Sequence, residues 1–374
     1  MFKLKRFLRQ FDFWLVIIPV VFSATSVATI YALVQNGATP DSNLWWKQVI
    51  FIILGLFLAA FLSLVDYRYF RNLVIPFYVV SLGLLVAVIF SKEIAGASRW
   101  LQIGFFQFQP SEFFKIALVL WQAHYLSRHE YLDIPSAIPF LLISFLPIFL
   151  ILNQPDLGTA IVVIGITFGN LLFTKPRRSL LVVIISLIVI LCLLIALSAF
   201  KVSFFGKILR DYQRERILTF LDPNRDPRGS GYNLSQSKTA IGSAGIWGKG
   251  FRGNSQTQLK FVPAPATDFI FAALAEAFGL AGGLLLILLY LLFILRIIFA
   301  AEYSRDNFGQ KIAVGFFFMF TLQFFINVGM TMGLAPITGI PLPFLSYGGS
   351  SILTAFLAVG IIQSIVIRQK ILDF

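Results

Sequence analysis

The sequence predicts an all-α integral membrane protein that crosses the bilayer about ten times. Of its 374 residues, 58% are hydrophobic and only 13% are charged, and the mean hydropathy is +0.85. A soluble globular protein has roughly half of its residues apolar and about a quarter charged. The chain also contains ten apolar segments, each close to the roughly 20 residues that a helix needs to cross the hydrocarbon core.

The ten apolar segments follow one another along nearly the whole chain. The first comes after a basic start, MFKLKRFLRQ, which resembles the start of a signal peptide. Its apolar run is longer than the roughly 7–15 residues of a signal-peptide core, so we interpret it as a retained membrane anchor. The predicted spans are 13–35, 45–64, 73–91, 110–127, 136–153, 157–173, 179–200, 269–295, 312–334 and 345–367.

The distribution of Lys and Arg predicts the orientation of these spans. With the N-terminus inside, the inner segments hold fifteen Lys or Arg residues, and the short outer loops hold three, Lys47, Lys92 and Arg99. Basic residues accumulate in short cytoplasmic loops of membrane proteins. We therefore expect both termini to be cytoplasmic.

A long outer loop, 201–267, connects the seventh and eighth spans. It holds eleven Lys or Arg residues and four acids, so its surface is a candidate anion-binding site; a merely solvated loop is the alternative. Turn-forming residues occupy 222–233, and glycines are frequent in 242–250. Because unpaired backbone cannot face lipid, these features predict a folded and partly re-entrant loop.

Several other classes of protein do not fit the sequence. The chain has one cysteine and two histidines, which is too few for an internal disulfide or a Cys/His metal site. A glycine-rich nucleotide loop is not found in the sequence, which argues against ATP-driven chemistry. The net charge of +13 is explained by the inner loops and the long outer loop, so no nucleic-acid partner is expected.

Two charged residues lie inside the fourth predicted span. Glu112 and Lys115 are three residues apart and therefore share one helix face. An ionisable residue within the membrane indicates a functional site by default. The alternative is an ion pair that only neutralises two buried charges.

Further polar residues are expected at the outer face of the membrane. Asp156 precedes span six, Arg99 lies in an outer loop beside Trp100, and Asp268 precedes span eight. Each has a structural alternative: a helix cap for Asp156, an interfacial anchor for Arg99 with Trp100, and a favourable helix-terminal charge for Asp268. The segment 335–351 returns to the same face, and its prolines and glycines predict irregular backbone that lines a cavity.

The chain resembles the SEDS family (shape, elongation, division and sporulation), and within it the RodA-like branch. The resemblance covers essentially the whole chain, which is therefore interpreted as a single SEDS membrane domain, 1–374. Two positions depart from the usual family pattern, Ala264 and Ala266, which leaves open any role for the neighbours of Thr267 and Asp268. The motifs that carry the resemblance are GASRW (96–100), QPSEFFK (109–115), NQPDLGTA (153–160), YQRERI (212–217), DPRGSGYNLSQSKTAIGSAG (226–245), TDFIFAALAEAFG (267–279) and GIPLPFLSYGGSS (339–351).

The resemblance implies a peptidoglycan glycosyltransferase in the bacterial cytoplasmic (inner) membrane. Such an enzyme polymerises lipid II, an undecaprenyl-pyrophosphate disaccharide-pentapeptide, on the outer face during cell-wall elongation and rod-shape maintenance. The implied partners are a class B penicillin-binding protein (a transpeptidase), other cell-wall elongation proteins and membrane lipid. The resemblance also implies that Asp268 is essential and that a polar cavity contains Arg99, Glu112, Lys115 and Asp156.

The implied reaction requires one general base and several cations. The α-linked donor and the β-1,4 product imply inversion, with one acceptor proton to be removed. The pyrophosphate leaves as a stable anion, so cations rather than a second, acidic carboxylate are needed. We assign Asp268 as the base, and we expect Thr267 to cap the following helix in its place. The predicted contacts to the pyrophosphate are Lys115, Arg99, Arg210, Arg214 and Arg216, and a divalent cation (Mg or Mn) could bind at Asp156 or Glu112.

Other functions remain as alternatives. A lipid II flippase would use the same substrate, but it would need a polar path to the inner face, and the predicted ionisable residues cluster outside. A transporter or channel would need acids reaching inward along the spans. A scaffold for the cell-wall machinery is compatible with either activity.

Overall fold

The computed structural model describes residues 10–91, 99–103, 106–129, 132–200, 210–227, 229–251 and 256–369. The basic start of the chain, 1–9, and the first part of the long outer loop, 201–209, lie outside the described residues. The described residues form twelve α-helices and one short hairpin. The helices are α1 (Trp14–Gln35), α2 (Leu44–Leu64), α3 (Phe70–Ile89), α4 (Pro110–Leu126), α5 (Ile134–Asn153), α6 (Leu157–Phe173), α7 (Arg178–Ala199), α8 (Asp211–Leu221), α9 (Ser230–Gly242), α10 (Ile270–Glu302), α11 (Asn307–Met332) and α12 (Gly349–Ile367).

The prediction of an all-α membrane protein with many spans is confirmed. Each predicted span coincides with one of these helices, and eight of them are long and apolar enough to cross a membrane. The other two, α4 and α6, have 17 residues each. The number of ten spans and the cytoplasmic location of both termini remain predictions.

The inner layer of the bundle is formed mainly by α4, α11 and α12. The most apolar stretch of α12 is 89% buried, whereas that of α7 is 12% buried and faces outward. Close contact between α12 and α2 depends on glycine: a β-carbon on Gly360 would lie 2.7 Å from the carbonyl oxygen of Ala59. Because Gly360 has no side chain, the two helices pack backbone to backbone at this point.

Two outer connections have structure of their own. Between α3 and α4, strand β1 (Leu101–Ile103) pairs antiparallel with β2 (Phe106–Phe108). Within the long outer loop lie α8 and α9, separated by a short 3₁₀ turn at Pro223–Arg225. The prediction of a folded outer loop is therefore correct for its described residues.

The outer loop is inserted into a break in α10. Gly279 has φ 69° and ψ −167°, which interrupts the helix, and a glycine is needed for this left-handed φ. Backbone groups freed by such a break must be paired elsewhere. The loop 244–250 pairs them through four main-chain hydrogen bonds: Lys249 N to Glu276 O (2.9 Å), Gly250 N to Ala277 O (2.9 Å), Leu280 N to Gly245 O (3.0 Å) and Ala281 N to Ile246 O (3.0 Å).

The carboxylate of Glu276, just before this break, binds the long outer loop at its buried side. It is 1% exposed and accepts hydrogen bonds from Gln256 N (2.7 Å), Thr257 N (2.9 Å) and Thr257 Oγ1 (2.7 Å). Lys249 Nζ lies 3.3 Å away and supplies the opposite charge. Buried charges need such partners, so Glu276 has a structural role in holding the outer loop on α10.

Candidate active site

Asp268 lies in the turn that precedes α10, and its carboxylate neither caps this helix nor bonds to another described residue. The N-cap residue of α10 is Phe269, and no side chain caps this helix. In the described part of the chain, the half-buried Asp268 carboxylate accepts no hydrogen bond. The prediction that Thr267 caps α10 is wrong, because its hydroxyl donates instead to the carbonyl of Ala264 at 3.4 Å.

Two consecutive residues of the segment between α11 and α12 contact Arg216 and Asp268. The carbonyl of Thr338 accepts a hydrogen bond from Arg216 Nη1 at 2.9 Å. Gly339 packs directly on Asp268, since a β-carbon there would lie 3.2 Å from Asp268 Oδ2. Gly339 also has φ +73°, a conformation that side chains other than glycine rarely adopt. The segment therefore brings Arg216 and Asp268 to one place.

Asn327 on α11 joins the two segments that form the site. Its Nδ2 donates to the main-chain oxygen of Asp268 at 3.0 Å and to that of Ile340 at 2.7 Å. Asn327 is completely buried, so these bonds are shielded from water and costly to lose. The sequence analysis missed this residue. A usable signal was present, because Gln323, Asn327 and Thr331 repeat every fourth residue of an apolar span.

Arg216 and Arg99 place two positive charges near the Asp268 carboxylate. Burial, the largest effect, raises the pKa of Asp268, whereas Arg216 and Arg99 lower it and Asp156 raises it further. Burial followed by the nearby charge of Arg99 lowers the pKa of Arg216, although a guanidinium stays protonated. The Arg216 guanidinium lies 5.9 Å from the ring centroid of Tyr212.

Arg99 has hydrogen-bonding capacity that the described residues do not use. Its Nε is buried and has no hydrogen-bond partner among them. Buried polar groups are nearly always paired. An unpaired guanidinium nitrogen beside Asp268 and Arg216 is therefore the expected feature of a site that receives an anion.

Asp156 belongs to the same cluster and also caps a helix. Its Oδ1 accepts from Thr159 N at 3.1 Å, as an N-cap of α6 does. Its Oδ2 accepts from Thr159 Oγ1 (2.9 Å), Gln109 Nε2 (3.1 Å) and Ser111 Oγ (3.4 Å). The helix-cap alternative thus describes what this carboxylate does in the fold. Through Gln109 it also fixes the start of α4.

Glu112 and Lys115 form a buried ion pair at 2.8 Å, with side chains 3% and 1% exposed. Glu112 lies in the first turn of α4, where a negative charge is favourable. Within the described residues, no hydrogen bond or ion pair connects this pair to Asp268, Arg216 or Arg99. The arrangement fits the structural alternative, and a contact of Lys115 with substrate remains a prediction.

The three arginines predicted from the outer loop separate in the structure. Of the three, Arg216 is the one whose charge acts on the Asp268 carboxylate. Arg210 Nη2 donates to Asn153 Oδ1 at 2.8 Å, at the end of α5, and Arg214 Nε donates to the carbonyl of Ala199 at 2.9 Å, the last residue of α7. A cation at a helix C-terminus is stabilising, so the described contacts of Arg210 and Arg214 are structural.

Phe344 anchors the rest of the 335–351 segment in the hydrophobic core. This residue is fully buried and has φ 66°, a conformation that costs a non-glycine residue of order 1–3 kcal/mol and often occurs at functional sites. Its ring packs against Phe320 and Phe356. Two bonds then join the segment to the Asp268 turn: Ser346 Oγ donates to Thr267 O (2.6 Å) and Tyr347 N donates to Ala266 O (2.8 Å).

The carboxylates proposed for a divalent cation are already occupied. Glu112 is paired with Lys115, and both oxygens of Asp156 accept hydrogen bonds. The described residues contain no group of three or more His, Cys, Asp or Glu side chains that could hold a metal ion. The arrangement around Asp156 and Glu112 therefore does not fit a metal site formed by the protein alone.

Comparison with known proteins shows the family. The FTSW_RODA_SPOVE family, described as "Cell cycle protein", matches residues 6–371. The chain belongs to this family. The predicted membership of the SEDS family, in its RodA-like form, is thereby confirmed.

Relatives and solved structures match along almost the whole chain. Peptidoglycan glycosyltransferase MrdB of Escherichia coli is 36% identical over 91% of this chain and 90% of its own length. Stage V sporulation protein E of Bacillus subtilis is 36% identical over 95% and 96%. A chain of a structure described as "Structural coordination of polymerization and crosslinking by a peptidoglycan synthase complex" matches with TM-score 0.79 and 30% identity, over 95% of this chain and 97% of the other. The Rod shape determining protein RodA of Thermus thermophilus matches with TM-score 0.68 and 27% identity, over 95% and 96%.

Proposed function

We propose that this SEDS protein is a peptidoglycan glycosyltransferase that polymerises lipid II into glycan strands during cell-wall elongation. The observation that carries the proposal is the Asp268 carboxylate, which accepts no hydrogen bond from the described residues and lies close enough to Arg216 and Arg99 for their charges to lower its pKa. Relatives of comparable length are named peptidoglycan glycosyltransferases. A single basic carboxylate beside cations is the inventory that an inverting transfer from a pyrophosphate donor requires.

Asp268 acts as the general base. The acceptor hydroxyl attacks the anomeric carbon of the donor sugar and loses its proton to the carboxylate, while the bond to the pyrophosphate breaks on the opposite side. Burial raises the pKa of Asp268, which makes the carboxylate a stronger base than an exposed aspartate. A positioned base contributes roughly 10²- to 10⁴-fold to the rate.

Arg216 and Arg99 stabilise the departing pyrophosphate. Negative charge grows on the leaving group as the glycosidic bond forms, and preorganised cations are the strongest source of stabilisation for such charge. Arg216 is held by Thr338, so one arm of its guanidinium is fixed and the rest is available. The unpaired Nε of Arg99 supplies a second donor without rearrangement of a protein hydrogen bond.

A divalent cation would bind only together with the substrate. Magnesium is commonly bound by one or two carboxylates together with substrate phosphates and water, so it would need lipid II to complete its ligands. Since Asp156 and Glu112 are engaged, we propose that the two arginines carry most of the phosphate charge. The expected result is residual polymerisation in the presence of excess chelator, and complete loss would contradict this view.

The partner is proposed from the chemistry of the product. A linear glycan strand needs crosslinking, and a related chain comes from a complex described as coordinating polymerization and crosslinking. We propose a class B penicillin-binding protein as partner, on the outer face of the cytoplasmic membrane. Contact with the outer loop on α10 would bias the conformations of the Asp268 turn, so the partner should stimulate polymerisation.

The decisive experiment compares Asp268→Asn with the wild type. Purified full-length protein is supplied with lipid II in detergent, and the glycan ladder is measured together with lipid II binding. The Asn variant should bind lipid II and lose roughly 10²- to 10⁴-fold in rate. Asp222→Asn is the matched control, because Asp222 is an exposed outer-loop aspartate that only caps a short turn.

The lipid II flippase alternative predicts a different result. A flippase gives no glycan ladder from purified lipid II, but it moves lipid II across vesicle membranes. If the wild type makes no ladder and still translocates lipid II, the glycosyltransferase proposal is wrong. If Asp268→Asn polymerises at nearly the wild-type rate, the protein is a glycosyltransferase but Asp268 is not its general base.

A further inference from the structure

A cavity lies far from Asp268, at the opposite end of the bundle. It has a volume of about 420 Å³ and is lined by residues of α1, α2 and α12 and by Phe11. The volume lies within the ~300–1,000 Å³ typical of small-molecule sites. α12 begins at Gly349 beside the candidate active site and ends at Ile367, so Gln363 places the cavity near the predicted cytoplasmic side. The reaction described above uses none of its residues.

One buried amide in this cavity has no partner. Gln363 is 1% exposed, and neither its Nε2 nor its Oε1 has a hydrogen-bond partner among the described residues. Leaving a buried donor or acceptor unpaired costs about 1–3 kcal/mol. Gln154, Asn170 and Asn327 each have an unpaired oxygen but a bonded nitrogen. Among the described residues, Gln363 is the amide for which the nitrogen and the oxygen are both unpaired.

Water is a poor candidate for the missing partner. An ordered water needs about two to four polar neighbours. The only other polar side chain in the described lining is Ser63, and its hydroxyl already donates to the carbonyl of Ala60 at 2.7 Å. The remaining walls are apolar, with Leu56, Phe356 and Val359 among them. The cavity fits an apolar chain that carries one hydrogen-bonding group.

The cavity opens towards the lipid that surrounds the bundle. Ala60 and Leu64 line it from the same face of α2. Ala60 is exposed and Leu64 is 63% exposed. In a membrane protein, an exposed apolar face at this position contacts lipid, so a lipid chain can reach the cavity sideways.

A positive charge lies at the polar end of the cavity. Arg368 is five residues beyond Gln363, or about 7.5 Å along a helix. Its guanidinium donates to the carbonyls of two lining residues, Ser63 (3.1 Å) and Leu64 (2.6 Å), and lies 3.6 Å from Asp66. From the interior of the bundle towards the membrane surface, the apolar wall comes first, then the amide of Gln363 and then the guanidinium of Arg368.

We propose that this cavity binds an anionic glycerophospholipid of the inner leaflet. One acyl chain occupies the apolar cavity, the ester carbonyl accepts a hydrogen bond from Gln363 Nε2, and the phosphate lies near Arg368. The same order of apolar chain, ester and phosphate is found along a phospholipid. A polyprenyl phosphate lacks the ester and would leave Gln363 unpaired.

The test measures lipid retention by native mass spectrometry on delipidated full-length protein in detergent. The probes are dioleoyl phosphatidylglycerol, its diether analogue with the same chain length, and undecaprenyl phosphate. The wild type should retain the diester over the diether by about 2- to 10-fold, the effect of one hydrogen bond. Gln363→Leu, which fills the same space without an amide, should bring this ratio close to one.

Two further variants make the result specific. Thr354→Val removes another unpaired buried polar atom on α12 that does not line the cavity, and it should keep the diester preference. Ala60→Trp blocks the opening, and it should lower retention of both glycerolipids. An equal retention of diester and diether by the wild type, an unchanged ratio in Gln363→Leu, or stronger retention of undecaprenyl phosphate than of the diester would overturn the proposal.

Discussion

The side-chain amide of Asn327 donates a 3.0 Å hydrogen bond to the main-chain oxygen of Asp268. The same nitrogen reaches Ile340 O at 2.7 Å, so one buried side chain sets the distance between the two segments of the candidate active site. Asp268 itself stands in a turn without a side-chain helix cap. Its position therefore depends on a residue 59 positions away in the chain.

Replacing Asn327 by Leu should reduce catalysis more than substrate binding. The substitution leaves the buried Ile340 oxygen and the partly buried Asp268 oxygen without this donor, at a cost of about 1–3 kcal/mol for the buried one, and releases the Asp268 turn. We expect kcat for polymerisation to fall at least tenfold with a smaller change in KM. Gln323→Leu, one turn earlier on the same helix, is the control, since Gln323 makes no described bond to either segment. Equal losses in both variants would show that Asn327 only stabilises α11.

Gly339→Ala should displace the Asp268 carboxylate. The new β-carbon would lie 3.2 Å from Asp268 Oδ2, and the residue would have to keep φ +73°. Gly37→Ala separates these effects, because Gly37 has φ +67° but no atom within 4 Å of its would-be β-carbon. Both variants should lose about 1–2 kcal/mol of stability from the left-handed backbone. Only Gly339→Ala should lose polymerisation activity, and similar activity in both would argue against close packing on Asp268.

Asp268→Asn should unfold at a higher temperature than the wild type near neutral pH. Because burial raises the pKa of Asp268, the folded protein favours the neutral acid. That contribution to stability is present below the unfolded-state pKa of about 3.9 and is lost as pH rises through the higher folded-state pKa. At neutral pH the buried charge of Asp268 destabilises the folded protein, and the Asn variant removes that charge. A helix-terminal charge would behave oppositely, since its removal costs about 0.3–1 kcal/mol.

The same titration should appear in the activity of the wild type. A general base must be deprotonated, so polymerisation should decline on the acid side at a pH above the ordinary aspartate pKa. Arg216 lowers the pKa of Asp268, and Arg216→Gln should therefore move the acid limb to higher pH as well as reduce the rate. If the acid limb lies at the same pH in the two proteins, Arg216 does not influence the pKa of the base.

The ion pair in α4 gives a prediction about folding. Lys115→Ala should leave Glu112 charged and buried, and removing one partner of such a pair costs about 3–5 kcal/mol. The double variant Glu112→Gln with Lys115→Met removes both charges and should recover folded protein, measured as monodisperse yield in detergent. If the double variant folds and polymerises at the wild-type rate, Lys115 makes no essential contact with substrate.

The sequence predicted those parts of the molecule that depend on local patterns. Apolar runs located all ten helices that correspond to predicted spans, because length and hydrophobicity determine a membrane helix wherever it packs. The position of Asp268 before α10 followed from the same reasoning. Its surroundings did not, since Asn327 and Gly339 act through contacts between distant segments.

The sequence analysis could not supply the directions of side chains, and the pyrophosphate contacts of Arg210 and Arg214 remain predictions. Arg210, Arg214 and Arg216 lie within one turn or two of each other, but only Arg216 points to Thr338 beside Asp268. Neighbours on a helix face different elements, and spacing alone could not show which element lay on which side. Thr267 was expected as a helix cap, but its hydroxyl turns back to Ala264.

The break at Gly279 has a consequence for how the enzyme fits membranes of different thickness. α10 has 33 residues, more than the roughly 20 that cross a bilayer core, and helices that are too long usually tilt to match their lipid. In α10, the break at Gly279 is a point at which the direction of the helix can change. Trp247, 83% exposed beside the break, is the type of residue that settles at the membrane surface. Because the loop 244–250 is hydrogen-bonded to α10 on both sides of the break, we expect the depth at which Trp247 settles to set the height of Asp268 above the lipid.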